Sequence, residues 1–155
     1  NTYRANWYGV MRDGINAGVP SDRCQVDWWL TSARVVSRLA QPAERAQSHT
    51  WPGAQQLQTY LTDGGWAAPF DTTPRLDGAP LLVPIPDDIA AMRVADGGLG
   101  LAWRLFMRET LERAFAAGYV MSDCVLAPDA GWHDWLEYGG RDPMMCRKDG
   151  AEYPP

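Results

Sequence analysis

Apolar and polar positions change rhythm several times along this chain, and each change marks an element. A short strand-like piece opens the chain, followed by a connection rich in Gly, Asn and Pro. From Cys24 the pattern alternates: Cys24, Val26, Trp28 and Leu30 share one face, while Gln25, Asp27, Trp29 and Thr31 share the other. Period two with aromatic enrichment predicts a strand over residues 23–31. Ser32 then stands as an N-cap, and Val35, Val36, Leu39 and Ala40 fall near one helical face, so a short helix is expected over 32–41, before Pro42 forbids continuation. Residues 42–80 are dominated by Gln, Gly, Thr and Pro, with one possible strand at 56–61, and read as a connection between two lobes.

The second lobe, residues 81–126, is more strongly patterned. An apolar run at 81–85 predicts a strand, and Asp87 and Asp88 sit where the positive end of a helix dipole favours carboxylates, predicting a helix to about residue 95. Asp96 caps a longer helix in which Leu99, Ala102, Trp103, Phe106, Thr110 and Ala114 recur at three- and four-residue steps. Glu109 and Arg113 stand in the favourable order four residues apart, and Gly118 is placed as a C-terminal stop before a strand at 119–126. Residues 127–155 hold no sustained period and are expected to be irregular.

Composition narrows the function classes. With 155 residues, 46% hydrophobic and 21% charged, the chain has the make-up of a folded globular domain. No apolar run approaches the roughly 18 residues that a membrane span needs. Acidic residues outnumber basic ones 19 to 14, and no Lys/Arg block supplies the footprint of a nucleic-acid binder. Three widely spaced cysteines, Cys24, Cys124 and Cys146, form neither a paired framework nor a zinc set. With no charged-then-apolar leader pattern at the start, a reducing, cytoplasmic setting is expected.

Motifs for common chemistries are weak. There is no G-x-S-x-G elbow. Cys24 with His49, or Cys146 with His133, would make a thiol pair only through the fold, and Cys24 reads better as a small core residue. His133, four residues after Asp129 and beside Asp134, lacks a second histidine and is expected on a solvated surface. Gly97, Gly98 and Gly100 lack a following Gly-Lys-Ser/Thr and read as capping residues. Asp87/Asp88 and Glu109/Glu112 are ordinary dipole partners and solvated faces. The densest polar feature is the connection from Trp7 to Arg23, which is either a functional loop on a scaffold or a turn fixed by its own Asp and Arg residues.

That block, Trp7-Tyr8-Gly9, Met11-Arg12-Asp13, Asn16-Ala17-Gly18-Val19-Pro20-Ser21-Asp22-Arg23 and Val26-Asp27-Trp28-Trp29-Leu30, resembles a branch of the GNAT-type (Gcn5-related) N-acetyltransferases. A second stretch is similar to the carboxy-terminal part of the same proteins: Ile85-Pro86-Asp87-Asp88-Ile89, Arg93, Ala95-Asp96, Ala102-Trp103-Arg104, Arg108-Glu109, Phe115 and Ala117-Gly118-Tyr119. The resemblance implies an α+β fold: residues 1–41 would end a GNAT-like mixed sheet, and 81–126 would form a strand-helix-helix-strand lobe. It implies transfer of an acetyl or other acyl group from acyl-CoA to a small-molecule amine. The family's acyl-CoA signature, Arg/Gln-x-x-Gly-x-Gly/Ala, is not found in these residues. The chain is therefore expected to be the acceptor-side portion, binding no acetyl-CoA alone and completed by an amino-terminal half or partner chain. By this resemblance Tyr8, Arg12, Asp13, Asp22 and Arg23 shape acceptor binding, with Trp28 as a wall, and no general base is assigned. A non-catalytic binding or assembly module is the alternative.

Overall fold

A computed structural model describes residues 1–12, 18–26, 30–31, 33–40, 53–127 and 131–138. The fold is α+β. In chain order its elements are β1 (Thr2–Arg4), β2 (Arg23–Gln25), α1 (Ala33–Ala40), β3 (Gln55–Gln56), β4 (Thr59–Leu61), β5 (Ala67–Pro69), β6 (Leu81–Pro84), α2 (Ile89–Ala95), α3 (Gly97–Ala116), β7 (Tyr119–Ala127) and β8 (Gly131–Tyr138).

The central sheet has the order β3-β6-β8-β7. β3 runs parallel to β6, while β8 is antiparallel to both β6 and β7. The register places Leu81 opposite Leu136 and Val83 opposite Asp134. One face of the sheet therefore carries Leu81, Val83 and Leu136, which pack with Leu111 and Ala114 of α3, Leu57 and Tyr119. Each is all but removed from water, and full burial of such a side chain stabilises by roughly 1.5–3 kcal/mol. A second cluster joins Met92, Leu99 and Trp103 to Ala68, with the Trp103 indole N–H donating to the Ala67 carbonyl at 2.9 Å.

Local chemistry explains the helix boundaries. The Asp88 carboxylate accepts from Ala91 N–H at 2.8 Å and starts α2. Asp96 ends that helix by donating its N–H to the Met92 carbonyl at 2.7 Å, and starts α3 by accepting from Leu99 N–H at 2.9 Å. One extended residue thus reorients the chain between two helices. Gly118 has φ +90°, the left-handed conformation that ends helices and that only glycine adopts at no cost.

Five expectations change. Residues 1–41, expected to end a mixed sheet, give β1 and β2, which among the described residues pair only with each other in an antiparallel ribbon. The strand expected over 23–31 stops at Gln25, and Leu30 and Thr31 lie in a turn. The supposed connection contributes to the core: Leu57 and Ala68 are buried, and Gln55 and Leu57 donate their N–H groups to the Pro80 and Leu82 carbonyls. The possible strand at 56–61 divides into β3 and β4, which belong to different sheets. Finally, residues 131–138 of the supposed irregular tail form β8, a central strand. The predicted helices agree with α1, α2 and α3, and the predicted strands at 81–85 and 119–126 with β6 and β7. The Ser32 cap and residues 42–52, 128–130 and 139–155 lie outside the described residues.

Because Leu136 is fully enclosed between β6, β7 and α3, Leu136→Ala is expected to cost about 2–4 kcal/mol in urea unfolding. A frayed tail would show no change.

Candidate functional site

The first resemblance-bearing block folds around Ser21 and Asp22. Asn6 takes a positive φ of 51° and Gly9 one of 67°, turning the chain so that three successive amides face one dipeptide. Asn6 N–H donates to Asp22 Oδ1 at 2.8 Å, Trp7 N–H to the Ser21 carbonyl at 3.1 Å, and Tyr8 N–H to Ser21 Oγ at 3.0 Å. The Ser21 hydroxyl in turn donates to the Gly9 carbonyl at 2.8 Å.

Asp22 also fastens this block to α3. Arg108 grips its carboxylate with two bonds, Nε to Oδ2 at 2.8 Å and Nη2 to Oδ1 at 2.7 Å. The Tyr3 hydroxyl donates a fourth, to Oδ2 at 2.8 Å. Each oxygen therefore carries two donors, which fills the acceptor capacity of a carboxylate. Burial alone would raise the Asp22 pKa, but the Arg108 guanidinium, the Asn6 amide and the Tyr3 hydroxyl outweigh it and hold the group below the usual carboxylate range. The Tyr3 phenol is pushed up by burial and by its bond to Asp22, so it stays protonated. Arg108 is held more firmly charged by its bond to Asp22.

Around this junction opens a cleft of about 360 Å³. Val19, Asp22 and Cys24 of the first block form one wall. Ile85, Pro86, Ile89 and Arg93, with Trp103 and Arg104 of α3, form the other. Met121 and Asp134 of the sheet close its base. A Cβ on Gly100 would collide with the Arg93 side chain, so glycine is what lets the Arg93 stem cross α3 at the cleft wall. Arg104 faces the Tyr3 hydroxyl.

Asp134 differs from Asp22 in every respect. No hydrogen bond or ion pair reaches its carboxylate among the described residues, and burial pushes its pKa up to about 6. Its charge, after burial, raises the thiols of Cys24 and Cys124, so neither is an activated nucleophile. His133, expected on a solvated surface, is 1% exposed. Its Nδ1–H donates to the Gly131 carbonyl at 3.0 Å, leaving Nε2 to accept from the Gln56 amide at 3.2 Å. Burial lowers its pKa, and a neutral imidazole satisfies both contacts.

The expected site residues are distributed differently from one another. Asp22 lines the cleft, with its carboxylate committed to protein donors. The Arg23 guanidinium lies 5.0 Å from the Tyr8 ring centre, and both side chains are exposed, as is Arg12. Asp13 and Trp28 lie outside the described residues. Sequence reading missed Asp134, Cys24 and Met121 as lining groups, which only the fold brings together. Among the described residues no His/Cys/Asp/Glu grouping could hold a metal ion, and no helix is long and apolar enough to cross a membrane. Comparison with protein-family models, curated proteins and solved structures finds no match.

A raised carboxylate pKa contributes stability fully below the unfolded value near 4 and loses it as pH rises through the folded value of about 6. Asp134→Asn is therefore expected to raise stability by about 1–2 kcal/mol at pH 8 and to leave it unchanged below pH ~4. Urea unfolding at both pH values checks this, and equal effects at the two would contradict it.

Proposed function

We propose that this chain forms the acceptor side of an acyl-CoA-dependent N-acyltransferase of GNAT type. One observation carries the reading: the two separate stretches that resemble such enzymes converge on one cleft. Val19 and Asp22 come from the first stretch, with Cys24 between its quoted segments; Ile85, Ile89, Arg93, Trp103 and Arg104 come from the second. Eighty-six positions apart, Asp22 and Arg108 lock them together. The mixed sheet is built from residues 55–138 rather than 1–41, and with a long helix packed on one face it is a scaffold compatible with this reading.

In the proposed reaction the amine nitrogen attacks the thioester carbonyl carbon; a C–N bond forms, the C–S bond breaks, and the proton lost by nitrogen accounts for the thiol product. The reaction needs the amine as its free base, donors for the carbonyl oxygen and a nucleotide cradle. Backbone N–H groups at a turn leading into a helix serve the cradle role in such enzymes, and the signature for that turn is not among these residues. The cradle is accordingly assigned to a segment or partner chain outside the 155 residues, with acetyl-CoA or another acyl-CoA as co-substrate.

Two measurements test this reading. Calorimetry of the 155-residue chain with acetyl-CoA is expected to show no binding at micromolar concentrations. The complete gene product, carrying the Arg/Gln-x-x-Gly-x-Gly/Ala turn, is expected to release free CoA thiol from acetyl-CoA only when an amine is present. No amine-dependent release, together with stable capture of a protein partner, would instead favour the assembly-module alternative.

A further inference from the structure

Asp134 is the least explained polar group in the cleft. It takes an inward position on β8, two residues from Leu136, where an apolar side chain would add to the core beside Val83. Its carboxyl opens into the cleft and has no hydrogen-bonding or ionic partner among the described residues. A half-buried carboxyl kept without a partner lowers stability at neutral pH, and such groups concentrate where a ligand supplies the missing partner.

The rest of the lining says what that ligand carries. Arg104 brings a guanidinium to the same cleft, and the Asp22 charge there is already neutralised by Arg108. Burial is the one cause of the shift at Asp134, with no guanidinium drawing it down. The cleft thus offers both an acidic and a cationic group, and Ile85, Ile89, Trp103, Met107, Leu111 and Met121 line it with an apolar surface. The volume of about 360 Å³ lies in the range of small-molecule sites.

We infer that the cleft binds an apolar or aromatic amino acid, its ammonium on Asp134, its carboxylate on Arg104, and its side chain over Trp103 and Met107. This deepens the acyltransferase reading, on which rests only the ligand's role as the amine acceptor; binding itself requires no acyl donor.

The test is calorimetry on the 155-residue chain at pH 7.5 with L-leucine, L-phenylalanine and L-tryptophan. At least one is expected to bind. For L-phenylalanine-type binding, phenethylamine, which lacks the carboxylate, and 3-phenylpropionate, which lacks the ammonium, are each expected to bind about tenfold more weakly or worse, the loss of one charge-assisted contact. Asp134→Asn is expected to weaken the amino acid by about tenfold while leaving phenylpropionate unchanged, and Arg104→Gln to do the converse with phenethylamine. Urea unfolding of Asp134→Asn at the same pH separates lost binding from lost folding. No binding by any of the three amino acids at millimolar concentration, binding of either singly charged analogue as tight as that of L-phenylalanine, or unchanged binding by Asp134→Asn would overturn the inference. Amino-acid binding without transfer in the complete gene product would leave this site standing and sink the acyltransferase reading. Transfer only to amines lacking a carboxylate would do the reverse.

Discussion

A carboxylate taken out of water needs a donor for each of its lone pairs, and Asp22 has four donors arriving from three parts of the chain. Tyr3 comes from β1, Asn6 from the turn that follows it, and Arg108 from the middle of α3. Removing one partner of such a pair leaves a buried charge exposed to a low dielectric at a cost of about 3–5 kcal/mol. The turn around Asn6, the β1–β2 ribbon and the helix are therefore fixed in relation to one another. The cleft exists because they are: its two walls belong to elements that this ion pair ties together.

Two aspartates in one cleft illustrate how surroundings assign roles. Asp22 is saturated, held ionised and closed to any ligand; it builds the wall. Asp134 lines the same cleft half-buried, its carboxylate without a protein partner among the described residues, and is the group left to recognise something else. Arg108 and Arg104 divide in the same way, one helical turn apart on α3. The first is consumed by structure, while the second faces the cleft beside Tyr3.

What the sequence made legible was local. Asp88, Asp96 and Gly118 act within three or four residues of themselves, so cap chemistry alone located α2 and α3. What escaped was non-local or disguised. β8 escaped because its period-two signal is inverted at two positions: Asp134 points inward where an apolar residue belongs, and His133 is buried on the opposite face by a tautomer-specific pair of hydrogen bonds. β3 is two residues long and depends on a parallel partner 26 positions away. The block around Ser21 and Asp22 was recognised as unusual, but its structural half, three amides satisfied by one dipeptide, and its bond to Arg108 cannot be read from residue order.

The claim on which the cleft, its walls and its ligand all depend is that Asp22 and Arg108 hold the first block against α3 as a single unit. A double-mutant cycle with Asp22→Asn, Arg108→Gln and the double variant, followed by urea unfolding at pH 7, measures it most directly. The account predicts a coupling of about 2 kcal/mol or more. A coupling below about 0.5 kcal/mol, the value for independent sites, would contradict it.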